Sequence, residues 1–323
     1  MTARLYISTF KGVAICQRDG DDWRMISHSL EKNHATVIAT SDGIVLAGTR
    51  DGLFRSTDGG ESWNAANQGL NERHVRWLAF HPEQSDLAFV GTEPAAVFRS
   101  TDEGQSWSER PEVKALRVEH HWSLPYSPAA GCIRGFAIQG QRAYAAAEVG
   151  GVLISEDRGE TWQLVEGSQG GLVYSPSRGR IHSDVHSIAV HPTDPNWVAA
   201  PTGGGIFRSL DGGANWEKIY PPCYVRAVWL DPEDRNHLIL GPADGVDRNG
   251  RVEETRDGGQ TWQPASEGMK VPWQRHMVER FAQVDGELLA VLSNGELWAA
   301  PLGELEWRRI LPQLDHVTAA AVG

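Results

Sequence analysis

Hydrophobic residues along this chain fall into short segments separated by polar, glycine-rich turns. Residues 75–80, 87–91 and 97–100 are three such segments in a row, rich in β-branched and aromatic side chains and too short for typical helices. The same succession of segments and turns returns every 40 to 55 residues. This pattern predicts short strands joined by hairpin turns and grouped into repeated units.

One motif occurs five times and marks the repeat. Its pattern is S/T-x-D-x-G-x-S/T/N-W. The five copies lie within residues 55–63, 99–107, 154–162, 208–216 and 254–262, and each ends at a tryptophan. Glycine supplies the positive φ that a tight turn needs, and an aspartate carboxylate can accept hydrogen bonds from the backbone amides of the turn. We therefore predict structural rather than catalytic roles for the five motif aspartates, Asp58, Asp102, Asp157, Asp211 and Asp257.

The spacing of tryptophans predicts the number of units. Motif tryptophans lie at 63, 107, 162, 216 and 262, and one further step in each direction reaches Trp23 and Trp307. The first unit begins at a second strand, whereas residues 316–322 have the pattern of an innermost strand with no unit after it. We therefore predict an all-β protein forming a single seven-bladed β-propeller over residues 1–323. Its four-stranded antiparallel blades close into a ring when the C-terminal strand pairs into the first blade.

Aligning the innermost strands on the repeat places charged side chains around the predicted central funnel. Alternate residues of a strand share a face, so one ring is predicted to contain Thr36, Arg76, Arg134, His186, Arg226, Glu279 and Thr318. The ring above it is predicted to contain His34, His74, Cys132, Asp184, Tyr224, Met277 and His316. The layer below is apolar and is predicted to plug the funnel with Ile38, Leu78, Phe136, Ile188, Val228, Phe281 and Ala320.

Three arginines in one ring of an acidic protein indicate a negatively charged partner. The guanidinium group binds carboxylate, sulfate or phosphate in bidentate fashion. We predict that Arg76, Arg134 and Arg226 bind a small anionic ligand, assisted by His34, His74, His121, His182 and His276. The alternative is that acidic neighbours neutralise the arginines within the funnel, the candidates being Glu279, Asp184, Glu93 and Glu148.

Histidines suggest acid–base or metal chemistry. His186 is the predicted general acid or base with Glu279 and Glu148 as partners, because the pKa of histidine lies near neutrality; Tyr224 is a weaker catalytic candidate. No cofactor is required by the sequence. If a divalent metal is bound, its predicted ligands are the histidines of the long inter-blade connections and His186, namely His120, His121, His182, His186 and His276. Those connections span about 109–131, 165–184 and 264–275.

Composition narrows the class of protein. The net charge of −12 and the lack of a basic run argue against nucleic acid as a partner. Three widely spaced cysteines, Cys16, Cys132 and Cys223, argue against a disulfide framework. The N-terminal residues lack the apolar core of a signal peptide, and no apolar run reaches membrane length. We therefore expect a cytoplasmic protein that does not bind membranes.

The motif that occurs five times resembles the Asp box, or BNR repeat, of the sialidase-like superfamily of β-propellers. The resemblance extends from Trp23 to Trp307 and implies the propeller fold. Relatives include sialidases, xyloglucan-cleaving glycosidases, sortilin-type receptors and photosystem assembly factors, so the resemblance leaves function open. The R-I-P signature of sialidases is missing, since residues 180–182 read R-I-H and lie in mid-chain. The chain is therefore not expected to be a sialidase.

Three functions remain open from the sequence. The first is an enzyme that acts on a small anionic, carboxylate-like molecule by hydrolase- or lyase-like acid–base chemistry. The second is a non-catalytic propeller that binds a partner protein, as an assembly factor does. The third is a histidine-ligated metalloenzyme. An enzyme requires the loop histidines to point inward, whereas a scaffold is expected to expose aromatic residues such as Trp122, Tyr126 and Trp273.

Overall fold

Seven four-stranded antiparallel sheets and one helix account for the regular structure of residues 3–126, 131–168 and 179–323, the part of the chain that this computed structural model describes. The sheets are the blades of a propeller, which confirms the predicted fold class and blade number. The predicted connections 109–131 and 165–184 fall in part on residues 127–130 and 169–178, which lie outside the described residues.

The first four blades follow the order of the tryptophans. From the innermost strand outward, blade 1 consists of Val317–Val322, Arg4–Thr9, Gly12–Asp19 and Asp22–Ser29. Blade 2 consists of Ala35–Ser41, Ile44–Thr49, Gly52–Ser56 and Asn64–Ala65. Blade 3 consists of His74–His81, Gln84–Glu93, Val97–Ser100 and Ser108–Glu109. Blade 4 consists of Cys132–Gln139, Arg142–Glu148, Gly151–Ser155 and Gln163–Leu164.

The last three blades have the same strand order. Blade 5 consists of Ala189–His191, Asp194–Thr202, Gly205–Ser209 and Glu217–Lys218. Blade 6 consists of Tyr224–Leu230, Leu238–Ala243, Glu253–Thr255 and Gln263–Pro264. Blade 7 consists of Val278–Val284, Glu287–Leu292, Leu297–Pro301 and Arg308–Ile310.

The ring closes through the two ends of the chain, as predicted. The C-terminal strand pairs antiparallel with Arg4–Thr9, so that Leu5 lies opposite Val322 and Ile7 lies opposite Ala320. The strand supplies the innermost position of blade 1. This pairing leaves no open edge between the first and last blades.

Each motif turn is fastened by its aspartate. In blade 3, one carboxylate oxygen of Asp102 accepts a hydrogen bond from the Ser106 amide at 2.9 Å, and the other accepts one from the Ser106 hydroxyl at 2.5 Å. The Ser100 hydroxyl donates to the same aspartate at 2.7 Å. The indole N–H of Trp107 then donates to the Ala66 carbonyl of blade 2 at 3.0 Å. The motif therefore closes a turn and ties its blade to the preceding one.

The hydrophobic core lies between successive blades rather than in the funnel. The residues predicted to plug the funnel pack instead into seven separate inter-blade clusters; for example, Ile38 packs between blades 1 and 2, and Leu78 between blades 2 and 3. The predicted apolar plug is therefore wrong. In blade 2, Val37 packs towards blade 3 and Ile38 towards blade 1, so both faces of the innermost strand are covered by neighbouring blades.

One inter-blade connection contains a helix that the repeat pattern does not predict. Helix Pro111–Glu119 lies between blades 3 and 4, with proline in its first turn, where the missing N–H is tolerated. Its buried Val113 packs into the cluster between these two blades. Among the described residues, no helix has the length and apolar character needed to span a membrane.

Candidate functional site

Irregular positions in the innermost strands direct the charged ring into the funnel. In blade 2, Ala35 pairs with Thr49 and Val37 with Gly48, which leaves Thr36 as the extra residue of a bulge. Arg76, Arg134 and Glu279 occupy the same bulged position in blades 3, 4 and 7, and Arg226 lies in the corresponding irregularity of blade 6. A bulge redirects its side chain away from the regular pleat. The predicted ring thus depends on a repeated bulge.

Six of the seven predicted ring residues line a cavity of about 320 Å³ at the mouth of the funnel, whereas His186 does not line it. Five arginines reach this cavity, namely Arg50, Arg76, Arg134, Arg226 and Arg280. Beside them lie three histidines from the predicted upper ring, His34, His74 and His316, together with Phe10, Trp77, Asp247 and Glu279. The cavity therefore combines a dense positive charge with aromatic surface.

Glu279 is clamped between two arginines. Its carboxylate lies 2.6 Å from Arg134 Nη2 and 2.7 Å from Arg226 Nη1. Burial raises the pKa of Glu279, but Arg226 and Arg134 outweigh burial and lower it to about 2. Arg134 also contacts Glu148 at 3.4 Å, and Arg226 contacts Asp247 at 3.4 Å. Internal neutralisation, the alternative raised from the sequence, therefore applies to these two arginines.

Arg76 and Arg280 differ in their partners. Arg76 pairs with Glu93 at 3.0 Å, and His74 Nδ1 lies 3.7 Å from the same carboxylate. Arg280 forms no ion pair with any described residue; its guanidinium lies 4.0 Å above the Trp77 ring, and its Nη2 donates long hydrogen bonds of 3.5 Å to the Thr36 and Arg76 carbonyls. Burial lowers the pKa of Arg280 to about 9; attraction by Glu279 opposes this shift, and repulsion from Arg134 and Arg76 adds to it.

Sequence reasoning missed Arg280. Strict alternation places it on the opposite face from Glu279, but the bulge at Glu279 lets both side chains enter the funnel. An available signal was the adjacent pair of opposite charges in the middle of an innermost strand, where apolar residues are usual.

The predicted upper ring forms only in part. The rings of His34 and His316 lie 3.9 and 4.7 Å from the Phe10 ring at the cavity. Burial and the nearby Arg76 and Arg50 lower the pKa of His74 to about 4. Cys132 and Met277, by contrast, are fully buried, so their predicted position facing the funnel is wrong. The inter-blade connections cover them: Leu124 packs on Cys132.

The loop histidines do not reach the cavity. His120 follows the helix Pro111–Glu119 as its C-cap, His121 has a positive φ of 52°, and His276 stacks on Trp273 with ring centroids 5.2 Å apart. His182 is buried. None of these four lines the funnel cavity among the described residues. Trp122 and Trp273, expected to be exposed on a scaffold, are buried, whereas Tyr126 is 61% exposed.

A second cluster lies on the rim between blades 4 and 5 and contains three of the predicted catalytic residues. The imidazole of His186 is fully buried, with Nδ1 2.7 Å from the Val225 carbonyl and Nε2 3.1 Å from an Asp184 carboxylate oxygen. The Tyr224 ring lies 4.5 Å from the His186 ring, and burial raises the pKa of Tyr224 to about 12. One ligand-type atom each of Glu148, Asp184 and His186 lie within 4.8 Å of one another. Glu279, the fourth predicted catalytic residue, belongs to the funnel ring.

Comparison with known proteins gives one family and a common fold. The family described as photosynthesis system II assembly factor YCF48 matches residues 16–180, just over half of the chain. A xyloglucanase, Xgh74A of Acetivibrio thermocellus, is 27% identical over 139 residues; the match covers 35% of this chain and 16% of that protein. The chain therefore spans less than a fifth of the length of that curated relative.

Two solved structures show the same fold. The GH74 xyloglucanase from Xanthomonas campestris has a TM-score of 0.64 at 17% identity, over 87% of this chain and 45% of that one. YCF48 bound to D1 peptide has a TM-score of 0.59 at 15% identity, over 90% of this chain and 85% of that one. At these identities the likeness concerns the fold alone. The fold is thus shared by an enzyme and by a protein that binds a peptide.

Proposed function

The chain belongs to the family described as photosynthesis system II assembly factor YCF48, and from this premise we propose that it is a non-catalytic propeller that binds an acidic segment of a partner protein at its funnel mouth. The segment presents a carboxylate to the arginine cavity, and the Phe10 and Trp77 rings pack against the rest of it. In one solved structure, YCF48 is bound to D1 peptide. That observation supports a peptide as the class of ligand here.

The observation that carries this proposal is Arg280. Arg280 is half-buried, and a guanidinium withdrawn from water normally has a carboxylate partner, because an unpaired buried charge is costly. Arg280 instead stacks on Trp77, with Arg134 and Arg76 close enough to lower its pKa. A carboxylate that enters the cavity relieves this repulsion and accepts hydrogen bonds from the planar guanidinium. The cavity is thus prepared for an anion that the described residues do not supply.

Acid–base catalysis fits the predicted residues less well. A general acid needs a raised pKa, yet Arg226 and Arg134 lower the pKa of Glu279 to about 2 despite burial, and Arg134 lowers that of Glu148. Glu279 already accepts short hydrogen bonds from two arginines, and the pKa of Tyr224 is raised, which opposes a nucleophilic phenolate. These features favour a site that binds a charged group over a site that transfers protons.

The test is binding of defined peptides to the whole chain. The probes are acidic peptides with a free C-terminal carboxylate, the same peptides amidated, and neutral peptides of equal length, measured by calorimetry. Acidic peptides are expected to bind, and to bind more weakly as salt concentration rises. Arg280→Ala is expected to weaken binding by at least about tenfold, and Arg280→Lys to be intermediate because it keeps the charge but loses the planar fork.

The matched control is Arg235→Ala. Arg235 is an exposed arginine whose only ion pair among the described residues is with Asp194 at 3.2 Å, away from the funnel. It is expected to leave peptide affinity unchanged. Equal affinity of acidic and neutral peptides, or wild-type affinity in Arg280→Ala, contradicts the proposal. If small dicarboxylates bind and no peptide does, the ligand of the cavity is a small anion and not a segment of a partner protein.

The second candidate is a hydrolase, for which the similarity to Xgh74A is the specific observation. His186, Glu148, Glu279 and Tyr224 remain its candidate catalytic residues. It predicts release of reducing ends from xyloglucan or related oligosaccharides, and a Glu148→Gln, Glu279→Gln double variant that is inactive. If the wild-type chain turns over such a substrate and the double variant does not, the hydrolase is favoured over the binding propeller.

A further inference from the structure

The rim cluster between blades 4 and 5 carries an inference that is independent of peptide binding. We propose that Glu148, Asp184 and His186 form a binding site for one first-row divalent transition-metal ion of the Zn²⁺ type. Glu148 ends the second strand of blade 4, and Asp184 and His186 lie in the segment that leads into the innermost strand of blade 5, Ala189–His191. Two adjacent blades thus bring the three groups together.

The hydrogen bonding of His186 fixes which nitrogen is available. A carbonyl only accepts hydrogen bonds, so the 2.7 Å contact with the Val225 carbonyl places the proton on Nδ1. In its neutral form, the imidazole then carries a lone pair on Nε2. This nitrogen is buried and has no hydrogen-bond partner among the described residues.

The lone pair faces negative charge. Nε2 lies 3.1 Å from an Asp184 carboxylate oxygen, and a ligand atom of Glu148 completes a set in which no two atoms are more than 4.8 Å apart. Two acceptors at such a distance repel unless a proton or a cation lies between them. The nearest positive charge, Arg134, contacts Glu148 only at 3.4 Å and is shared with Glu279. A divalent ion within the three groups satisfies all of them at once.

The surroundings resemble the outer shell of a metal site. A metal-binding histidine usually donates its other ring N–H to a carbonyl or carboxylate, as His186 does to Val225. Glu148 accepts hydrogen bonds from the Cys132 thiol at 3.0 Å and from the Tyr126 hydroxyl at 3.2 Å, which orient its carboxylate. The Tyr224 ring covers one face of the His186 ring. Each candidate ligand is thus held in place from outside.

Because Gly203 has no side chain, the Asp184 carboxylate can lie close to its backbone. A Cβ atom at this position would lie 2.4 Å from an Asp184 carboxylate oxygen, closer than any real contact. Gly203→Ala therefore moves Asp184 while leaving all three ligand groups chemically intact. This makes it a test of geometry rather than of composition.

One nitrogen and two carboxylates define the class of ion. Imidazole selects first-row transition metals over Mg²⁺ and Ca²⁺, which prefer all-oxygen sites. Three protein ligands are also the number found where zinc keeps an open position. Zn²⁺ is therefore the probe of choice, with Mg²⁺ as the comparison ion.

The experiment is a Zn²⁺ titration of the chelator-treated whole chain by calorimetry, followed by metal analysis after gel filtration. One equivalent is expected to bind, with Mg²⁺ unable to compete, and the melting temperature is expected to rise with Zn²⁺. Glu148→Gln, Asp184→Asn and Gly203→Ala are each expected to weaken Zn²⁺ binding by at least about tenfold. A histidine ¹⁵N spectrum of the wild type should show one Nε2 resonance shifting on addition of Zn²⁺.

The matched control is Glu254→Gln. His237 is another buried histidine between two carboxylates, Asp231 at 2.8 Å and Glu254 at 3.2 Å, but both of its nitrogens have a partner. This variant is expected to bind Zn²⁺ as the wild type does. Failure of the wild type to bind one equivalent overturns the proposal. Wild-type Zn²⁺ affinity in all three site variants overturns it as well.

Discussion

Arg134 and Glu279 join opposite sides of the funnel. Arg134 belongs to blade 4 and Glu279 to blade 7, and their 2.6 Å ion pair connects blades that are not neighbours in the ring. Glu279 also holds Arg226 of blade 6 at 2.7 Å. One carboxylate therefore serves two functions in the structure: it links three blades, and it cancels charge that the cavity would otherwise present to a ligand.

Replacing Glu279 separates these two roles. Glu279→Gln leaves two largely buried arginines without their carboxylate and is expected to lower the free energy of unfolding by about 2–4 kcal/mol, measured by denaturant titration. The same change is expected to raise the affinity for acidic peptides about tenfold, because more positive charge remains for the ligand.

The control for this variant is Glu287→Gln. Glu287 also bridges two arginines, Arg18 and Arg308, but does so on the outer part of blades 7 and 1. A comparable loss of stability is expected there, with no change in peptide affinity. Equal effects of the two variants on peptide binding mean that Glu279 does not tune the cavity.

Motif glycines support packing between blades as well as turns. Gly159 has a φ of 76°, and a Cβ there would lie 2.1 Å from the Phe89 ring of blade 3; Gly140 has a φ of 59° with nothing within 4 Å. Alanine at either position carries the strain of left-handed backbone, about 1–2 kcal/mol. Gly159→Ala is expected to cost a further 1–3 kcal/mol, roughly, from overpacking. Equal unfolding free energies for the two variants contradict this role in packing.

Much of the fold was accessible from the sequence because one local interaction repeats. Each motif turn uses its own serine or threonine, aspartate, glycine and tryptophan, so a nine-residue pattern suffices to identify it. The seven tryptophans then fixed the blade count, and the missing innermost strand of blade 1 indicated that the C-terminal strand closes the ring. The helix Pro111–Glu119 interrupts this regularity, and no repeated pattern marks it.

The site was less accessible because it depends on departures from regular strands. Alternation correctly grouped Arg76, Arg134 and Glu279, since each occupies the same bulge. Beyond the bulge the same alternation failed: it placed Ile38 in a plug and left out Arg280. A bulge arises from the packing of neighbouring blades, which no single strand encodes.

The motif aspartates make the fold sensitive to acid. Burial raises the pKa of Asp157, but hydrogen bonds from Thr161 and Ser155 together outweigh burial and lower it to about 2 from an ordinary value near 3.8. A depressed folded-state pKa contributes stability that is present above pH about 4 and is lost as the pH falls to about 2. The other four motif aspartates shift in the same direction. The free energy of unfolding is therefore expected to fall steeply across this window.

Denaturant titrations at successive pH values test this expectation. Asp157→Asn removes one titrating group and is expected to flatten the decline between pH 4 and 2, at the price of lower stability near neutrality. Asp315→Asn, at an exposed position outside the motif, is expected to leave the slope unchanged. Parallel pH profiles for Asp157→Asn and the wild type show that the motif does not set the acid limit.

Peptide binding is expected to strengthen as the pH falls from 7 towards 5. In the free chain, burial together with Arg76, Arg50 and His34 lowers the pKa of His74 to about 4, with Asp51 acting in the opposite direction and Glu93 3.7 Å away. A bound carboxylate favours the imidazolium and raises this pKa, so binding takes up a proton. Affinity therefore increases as the pH falls towards about 4, while the peptide carboxylates stay ionised above their own pKa.

His74→Asn tests the source of this pH dependence. Asparagine keeps a polar side chain in the cavity but cannot take up the proton, so its affinity for acidic peptides is expected to vary little between pH 7 and 5. His28→Asn, a histidine outside the cavity that lies 3.8 Å from Glu31, is the matched control and should keep the wild-type dependence. Calorimetry in two buffers of different ionisation enthalpy measures the proton uptake directly. Wild-type binding without proton uptake means that the histidines at the funnel mouth do not sense the ligand, and the arginines alone then provide the attraction.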